Sequence, residues 1–311
     1  MIFSVIVPLY NKAPYVEKTL RSVLCQTFTD YELVVVNDGS TDGSLIVAKS
    51  VLAGTDAIVI DQKNAGVSVA RNNGVAASKG DYICFLDADD WWEPTFLEEM
   101  DLLIQQYPDA GIYGTSYFYV KNGRKSVRIS APTGYIDYCR VYADCMCMPL
   151  TSISVAIPRS VFTENDGFKP ELKLGEDFDL WIRIALRHKV AFLDKPLANY
   201  NQDVDAVSRG IGRLRQPKTH MLWNLEYLEL EEQTNTDYKQ LIDNLRVYGL
   251  FPYYLSKEYR DEARTQLAKV DWSRQPKKLL SLYRKPVWYL RVRQRYFTIG
   301  SRVKQFIQHF V

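Results

Sequence analysis

Asp87-Ala88-Asp89-Asp90 packs three carboxylates into four residues, directly after the apolar run 81–86 and before Trp91-Trp92. Neighbouring like charges repel, and they repel more where water is scarce, as at the end of a core strand. A hard divalent cation relieves that repulsion, because Mg²⁺ and Mn²⁺ prefer carboxylate oxygens and share them with phosphates. The turn is therefore a candidate end of a metal-bridged phosphate ester. The plainer alternative is an acidic turn solvated by water. Other residue types argue against different chemistry. The histidines, His188, His220 and His309, all lie far from the turn in sequence, so a His-based dyad has little raw material. Cys25, Cys84 and Cys139 are scattered, and Cys145-Met146-Cys147 lacks the spacing of a zinc site, so reduced, structural thiols are expected.

The elements that must position such a turn are legible upstream. Apolar runs at 4–7, 33–36, 58–60 and 83–86 are continuous rather than alternating, as in strands buried on both faces. Helical patterns separate them. Pro14 opens one, with Val16, Leu20, Val23 and Leu24 on one face. Ser40 or Thr41 caps the next, with Asp42 in its first turn. A third spans 66–77, with Ala70, Gly74 and Ala77 on one side for close approach to a sheet. This β-α alternation predicts a doubly wound α/β half with a mostly parallel sheet. Ligands bind such sheets at the carboxyl ends of the strands. The four runs deliver Pro8-Leu9-Tyr10-Asn11, Asn37-Asp38-Gly39-Ser40-Thr41-Asp42, Asn64-Ala65-Gly66 followed by Arg71, and the acidic turn. Together they are suited to a base, a ribose and a metal-bound diphosphate.

Beyond Trp92 a helix is expected over 94–107, then β-like stretches at 111–120, 126–129 and 153–157. Apolar residues at 178, 181, 182, 185 and 186 predict an amphipathic helix. Glu176 and Asp177 occupy its first turn, where the helix dipole favours carboxylates. From about 213 the chain is expected to be helical. The expected division is 1–212, with a nucleotide-binding half 1–92 and an acceptor half 93–212, followed by a helical region 213–311.

Charge is unevenly spread. Residues 272–311 carry ten Lys/Arg and no Asp or Glu, so 1–271 holds 39 − 10 = 29 basic against 37 acidic residues, a net of −8. The tail interleaves those cations with aromatics, and Ile299, Val303, Phe306, Ile307 and Phe310 recur at helical spacing. Such a basic amphipathic segment suits an anionic membrane surface. RNA is the less favoured partner, and packing on the body is the third reading. Neither a signal-peptide pattern nor an apolar run of spanning length is found. The expected location is cytoplasmic, peripheral at the inner face of the cell membrane.

The blocks Val5-Ile6-Val7-Pro8-Leu9-Tyr10-Asn11, Val36-Asn37-Asp38-Gly39-Ser40-Thr41-Asp42, Asn64-Ala65-Gly66-Val67-Ser68-Val69-Ala70-Arg71-Asn72, Phe85-Leu86-Asp87-Ala88-Asp89-Asp90-Trp91 and Gly175-Glu176-Asp177-Phe178-Asp179-Leu180-Trp181 resemble, in order and spacing, the family 2 glycosyltransferases of the GT-A fold. The resemblance covers 4–210. It implies inverting transfer of a sugar from a nucleotide diphosphate sugar, commonly a UDP-sugar, to an acceptor hydroxyl on a glycan or lipid-linked acceptor. By position it implies that Tyr10 stacks on the base, with Pro8 shaping the pocket and Asn11, Asn64, Gly66 and Ala88 lining the nucleotide site. Asp38 would bond the base and Arg71 the nucleotide side. Asp87 would contact the ribose or phosphate. Asp89 would ligate Mn²⁺ or Mg²⁺, and Asp90 would lie near the donor sugar. Asp177 would be the catalytic base. Many relatives carry a metal-binding His in a Tyr-x-x-His stretch; here Tyr200-Asn201-Gln202-Asp203 leaves Asp203 as its substitute, or leaves that contact missing. The Gln-x-x-Arg-Trp motif of processive synthases is absent, which implies single or limited transfer in surface-glycan assembly. Two other readings stay open. A nucleotidyltransferase on a similar fold calls for a Gly-rich basic loop near the N-terminus, and none follows Val7. A silent nucleotide-binding scaffold would not need the acidic turn or Glu176-Asp177.

Overall fold

A computed structural model of the chain describes residues 2–204 and 214–296. The apolar runs of the first ninety residues form β1 (Phe3–Leu9), β2 (Tyr31–Asp38), β3 (Ile58–Gln62) and β4 (Tyr82–Phe85). β1 pairs in parallel with β2 and β4, and β2 with β3. All of β1 and most of β2 are buried, which is why their Val/Ile runs carry no polar alternation. Each such side chain contributes about 1.5–3 kcal/mol on burial. α1 (Val16–Leu24), α2 (Ser44–Val51) and α3 (Val67–Ala77) make the crossovers, so the carboxyl ends of all four strands gather at one edge.

Two local expectations shift. α1 buries Val16, Thr19, Leu20 and Val23, leaving Leu24 only half-buried. α2 starts at Ser44, after Gly43, rather than being capped by Ser40 or Thr41. Those two residues are already engaged. The Ser40 hydroxyl accepts the Asn11 N–H at 3.1 Å, and the Thr41 N–H donates to Asn11 Oδ1 at 2.8 Å. Asp42 instead takes the Ser44 N–H at 2.9 Å. α3 lies close on the sheet, as its small residues require. A Cβ on Gly74 would stand 2.4 Å from Ile6 Cγ2.

The rest of the sheet is β5 (Trp91–Trp92), β6 (Ala110–Lys121), β7 (Arg124–Val127), β8 (Gly134–Ile136), β9 (Val155–Pro158) and β10 (Lys189–Asn201). Between them run α4 (Phe96–Gln106), α5 (Tyr138–Cys145), α6 (Arg159–Glu164) and α7 (Glu176–Ala185). The order is β3-β2-β1-β4-β9-β6-β10-β5, with β7 on β6 and β8 on β10. β9 is antiparallel to β4 and β6, so the parallel register continues beyond the first half only between β6 and β10. β10 was not legible in the sequence because Asp194-Lys195-Pro196 splits its apolar run; the strand absorbs them as a register shift between Leu193 and Ala198. α7 also departs from its expected stripe: every residue from Phe178 to Ile184 is buried. Its polar side is neutralised internally, since Asp179 bonds Lys169 at 3.0 Å and Arg183 at 2.8 Å.

The described residues form two compact units. The first holds 2–141, 148–170 and 176–204. The second holds 142–147, 171–175 and 214–296. The second unit is helical, with α8 (Glu229–Thr234), α9 (Thr236–Gly249), α10 (Phe251–Leu255), α11 (Arg260–Leu267), α12 (Lys277–Tyr283) and α13 (Val287–Tyr296). α9 buries Tyr238, Leu241, Ile242 and Leu245, and its buried Arg246 pairs with Glu232 through both terminal nitrogens. Ile299, Val303, Phe306, Ile307 and Phe310 lie outside the described residues. Among those described, no helix is long and apolar enough to cross a membrane.

Candidate functional site

The parallel registers Leu9↔Asn37 and Asp38↔Gln62 set the ends of β1, β2 and β3 side by side. Pro8 is buried within β1, and beyond it the Tyr10 ring stands 47% exposed, free to stack. Asn11 takes a left-handed φ of 49°, which Asn tolerates, and bonds Ser40 and Thr41 across the edge. Asp38 is buried. Its carboxylate accepts from Gln62 Nε2, the Ala65 N–H and the Gly66 N–H, each at 2.8 Å. A carboxylate has about four acceptor positions, so Asp38 clamps the loop into α3 and keeps about one for a ligand. Its carbonyl accepts Asn64 Nδ2 at 2.9 Å. Gly39 must be glycine on two counts: φ is 71°, and a Cβ would meet Asn64 N at 2.7 Å.

At the end of β4 each aspartate of the turn has a different partner. Asp87 accepts from Arg71 at 2.8 Å and from Ser152 at 3.2 Å. Asp89 binds the Lys12 ammonium at 2.6 Å. Asp90 is buried; its Oδ1 accepts the Asn201 N–H at 2.7 Å, and its carbonyl accepts Thr19 Oγ1 at 2.7 Å. Asp90 Oδ2 is buried without a hydrogen bond among the described residues. Burial raises Asp90 well above the usual carboxylate range, and the charges of Asp89 and Asp87 add to this. Burial raises Asp89 too, with Lys12 opposing. Ala88 is buried beneath the turn.

Arg71 is not a free cation at the rim. It is 3% exposed and lies between Asp87 and Glu176, 3.3 Å from the latter, with its guanidinium 5.1 Å from the centre of the Phe168 ring. Burial disfavours its charge, but Asp87, Glu176 and Asp177 more than offset that. Arg71 thus ties the first turn of α7 to the acidic turn. Asp177, next to Glu176, accepts the Phe178 N–H at 2.7 Å. Burial, then Glu176, pushes its carboxyl up to about 7, against the pull of Arg71.

Tyr10, Asp38 and the acidic turn therefore follow the carboxyl ends of β1, β2 and β4, and Arg71 joins that turn to Glu176, next to Asp177. Asp203 turns elsewhere: both its oxygens take the Asn122 N–H at 2.8 Å. Among the described residues no three His, Cys, Asp or Glu side chains converge to hold an ion. Sequence reasoning missed Lys12, Ser152, Thr19 and Asn201. Lys12 directly follows Tyr10-Asn11, and its charge beside that block was the one available signal. Thr19 and Ser152 come from segments with ordinary composition, and Asn201, though within the Tyr200–Asp203 stretch, acts through its backbone N–H, which no residue type marks.

A nucleotide-type edge on a doubly wound sheet, with an acidic turn and a first-turn carboxylate joined through one arginine, defines a GT-A class of protein. Comparison with known proteins agrees. Residues 4–158 match the model of glycosyl transferase family 2. The chain is 41% identical over 218 residues to glycosyltransferase GlyA of Streptococcus pneumoniae, covering 66% of this chain and 31% of GlyA. It thus spans under a third of that relative's length. Among solved structures, S. aureus TarS 1-349 in complex with UDP-GlcNAc superposes with a TM-score of 0.62 at 20% identity, over 98% of this chain and 84% of that one. Mannosyltransferase PcManGT from Pyrobaculum calidifontis, in complex with GDP-Man and Mn²⁺, gives 0.59 at 15% identity, over 99% of this chain and 84% of that one. At those identities the likeness is one of fold. The chain belongs to glycosyl transferase family 2.

Proposed function

We propose that the chain transfers a sugar from a nucleoside diphosphate sugar to an acceptor hydroxyl, with inversion at the anomeric carbon. The observation that carries this reading is the Arg71 bridge. It joins Asp87 of the nucleotide edge to Glu176, and so fixes a carboxyl titrating at about 7 beside a diphosphate-type turn. A general base works best with a pKa near the operating pH. Asp177 takes the acceptor's proton as the hydroxyl attacks from the face opposite the leaving diphosphate. One displacement with one base inverts the centre and needs no covalent nucleophile.

Tyr10 stacks on the base, in a pocket shaped by Pro8, Asn11, Asn64, Gly66 and Ala88. Asp38 offers its remaining acceptor position to the base. Asp87 bonds the ribose or phosphate, with Arg71 orienting it. The unpartnered Oδ2 of Asp90 faces the donor sugar. UDP is the favoured nucleotide, as in the TarS complex with UDP-GlcNAc. The turn fits a hard divalent cation. Its donors are all carboxylate oxygens, and burial with mutual repulsion raises Asp89 and Asp90, the mark of a cluster short of positive charge. Asp89 would hold the ion with Asp87, while diphosphate and water supply the remaining ligands. Asp203 would join only by releasing Asn122. When bound, the ion stabilises charge on the departing diphosphate. An acceptor in a surface glycan or lipid-linked glycan at the cytoplasmic face completes the proposal.

The test is a panel of UDP- and GDP-sugars with Mn²⁺ or Mg²⁺, scored for transfer and hydrolysis. Asp177→Asn should lower kcat at least a hundredfold, the order expected for loss of a proton-transfer group, and Asp89→Ala should lower it by a similar order through loss of the ion that stabilises the leaving diphosphate. Full turnover in either variant would overturn the mechanism.

A further inference from the structure

The last described helix, α13, turns an apolar face away from its own core. Leu290 is buried, and Arg291 donates from Nε and Nη2 to the Leu255 carbonyl at 2.9 and 2.7 Å. That carbonyl ends α10, where a cation also complements the helix dipole. These contacts fix the rotation of α13. At about 100° per residue, Trp288 and Val292 fall opposite Leu290. They are 68% and 50% exposed, with Tyr289 beside them at 40%. Trp288 and Val292 form one wall of a groove of about 540 Å³ whose other lining residues are Leu214, Pro252, Leu255, Ser256 and Arg291. A tail helix packing its apolar stripe inward would show the reverse arrangement.

The charge carried by α12, α13 and the turn between them is of one sign. Lys277, Lys278, Arg284 and Lys285 are exposed, and none has an acidic partner among the described residues. No Asp or Glu occurs anywhere in 272–311. Trp and Tyr concentrate where hydrocarbon meets headgroups. Cations beside an anionic headgroup layer strengthen binding about fivefold each. RNA would use the cations and the aromatic rings, but it gives no place to Val292 or to Leu214, Pro252 and Leu255 of the groove.

We propose that the α12–α13 surface is a docking face for an anionic lipid bilayer. Trp288, Tyr289 and Val292 insert at the headgroup boundary, and Lys277, Lys278, Arg284 and Lys285 pair with lipid phosphates. The proposal stands apart from the catalytic reading, since its measurement involves no turnover.

The test is co-sedimentation of the full chain with vesicles of phosphatidylcholine alone and with 30% phosphatidylglycerol. Wild type should bind the anionic vesicles in a salt-sensitive manner and the neutral ones at least tenfold more weakly. Trp288→Ser with Val292→Ser should weaken anionic binding about tenfold or more. Arg284→Glu with Lys285→Glu should do so by at least 25-fold while leaving the circular dichroism spectrum unchanged. Equal binding by either double variant overturns the proposal. So does preferential capture of single-stranded RNA that vesicles do not displace. Self-association lost in the Trp288 variant without any vesicle binding would instead assign the face to a second copy.

Discussion

Lys12 and Asp177 show how single side chains tune this site. Lys12 gives Asp89 a positive partner at 2.6 Å, from within the chain. Any ion bound by Asp89 competes with that ammonium. Lys12→Met should tighten Mn²⁺ binding to the nucleotide-free protein about tenfold, or 1.4 kcal/mol, by calorimetry. Unchanged or weaker binding would show that Lys12 is no competitor. As the proposed base, Asp177 would set the pH dependence. A base must be ionised, so kcat/KM should rise with pH through about 7. Glu176 raises Asp177, so Glu176→Gln should move that limb to lower pH; an unmoved limb would assign it to another group. The same shift acts on stability. The folded pKa lies above the ordinary 3.8, so ionised Asp177 is a cost to the fold. That cost is absent below pH about 4, grows to pH about 7 and is constant above. Asp177→Asn should therefore melt higher than wild type at pH 8, with the gap closing toward pH 4. Asp38, Asp89 and Asp177 were legible because each ends or begins an element with a clear apolar pattern. Lys12, Ser152 and Asn201 were not, because a hydrogen bond to a remote segment leaves no local periodicity.

Among the elements, α3 depends on one absent atom. A Cβ at Gly74 would stand 2.4 Å from the β-branched Ile6, which is wholly buried in β1 and cannot swing aside. Gly74→Val should lower stability by about 1–3 kcal/mol in urea unfolding, even though valine is a better helix former than glycine. A variant as stable as wild type would mean that α3 rides farther from the sheet. The four parallel strands were read from continuous Val/Ile runs and appear within about two residues at each end. β10 and the buried character of α7 were not. In β10, Asp194-Lys195-Pro196 imitates a turn, and only pairing with β6 on both sides of it restores the strand. In α7, Asp179 and Arg183 fall outside the apolar stripe, yet they neutralise each other in the core.

Over the whole molecule, legibility followed the gradient of chemistry. The first unit carries the motifs. Of the motif residues the second holds only Gly175, and its body was foreseen only as helical from about 213. Its boundary was placed at 212/213, whereas the second unit also includes 142–147 and 171–175, short excursions that composition does not mark. The Arg71–Glu176 contact has a bearing on the order in which the first unit is made. The two residues are separated by 105 positions. Closing that much chain is entropically costly, and contacts of this range are rewarded only after the segments between them are in place. β1 pairs with β2 across 31 − 3 = 28 positions and β2 with β3 across 58 − 34 = 24, and β4 returns to β1 across 82 − 3 = 79, so β1 to β3 are the natural early structure and β4 joins them before α7 can. A nascent or partly refolded chain would thus own the proposed nucleotide edge before it owns the proposed catalytic carboxyl, and turnover would be among the last properties it gains.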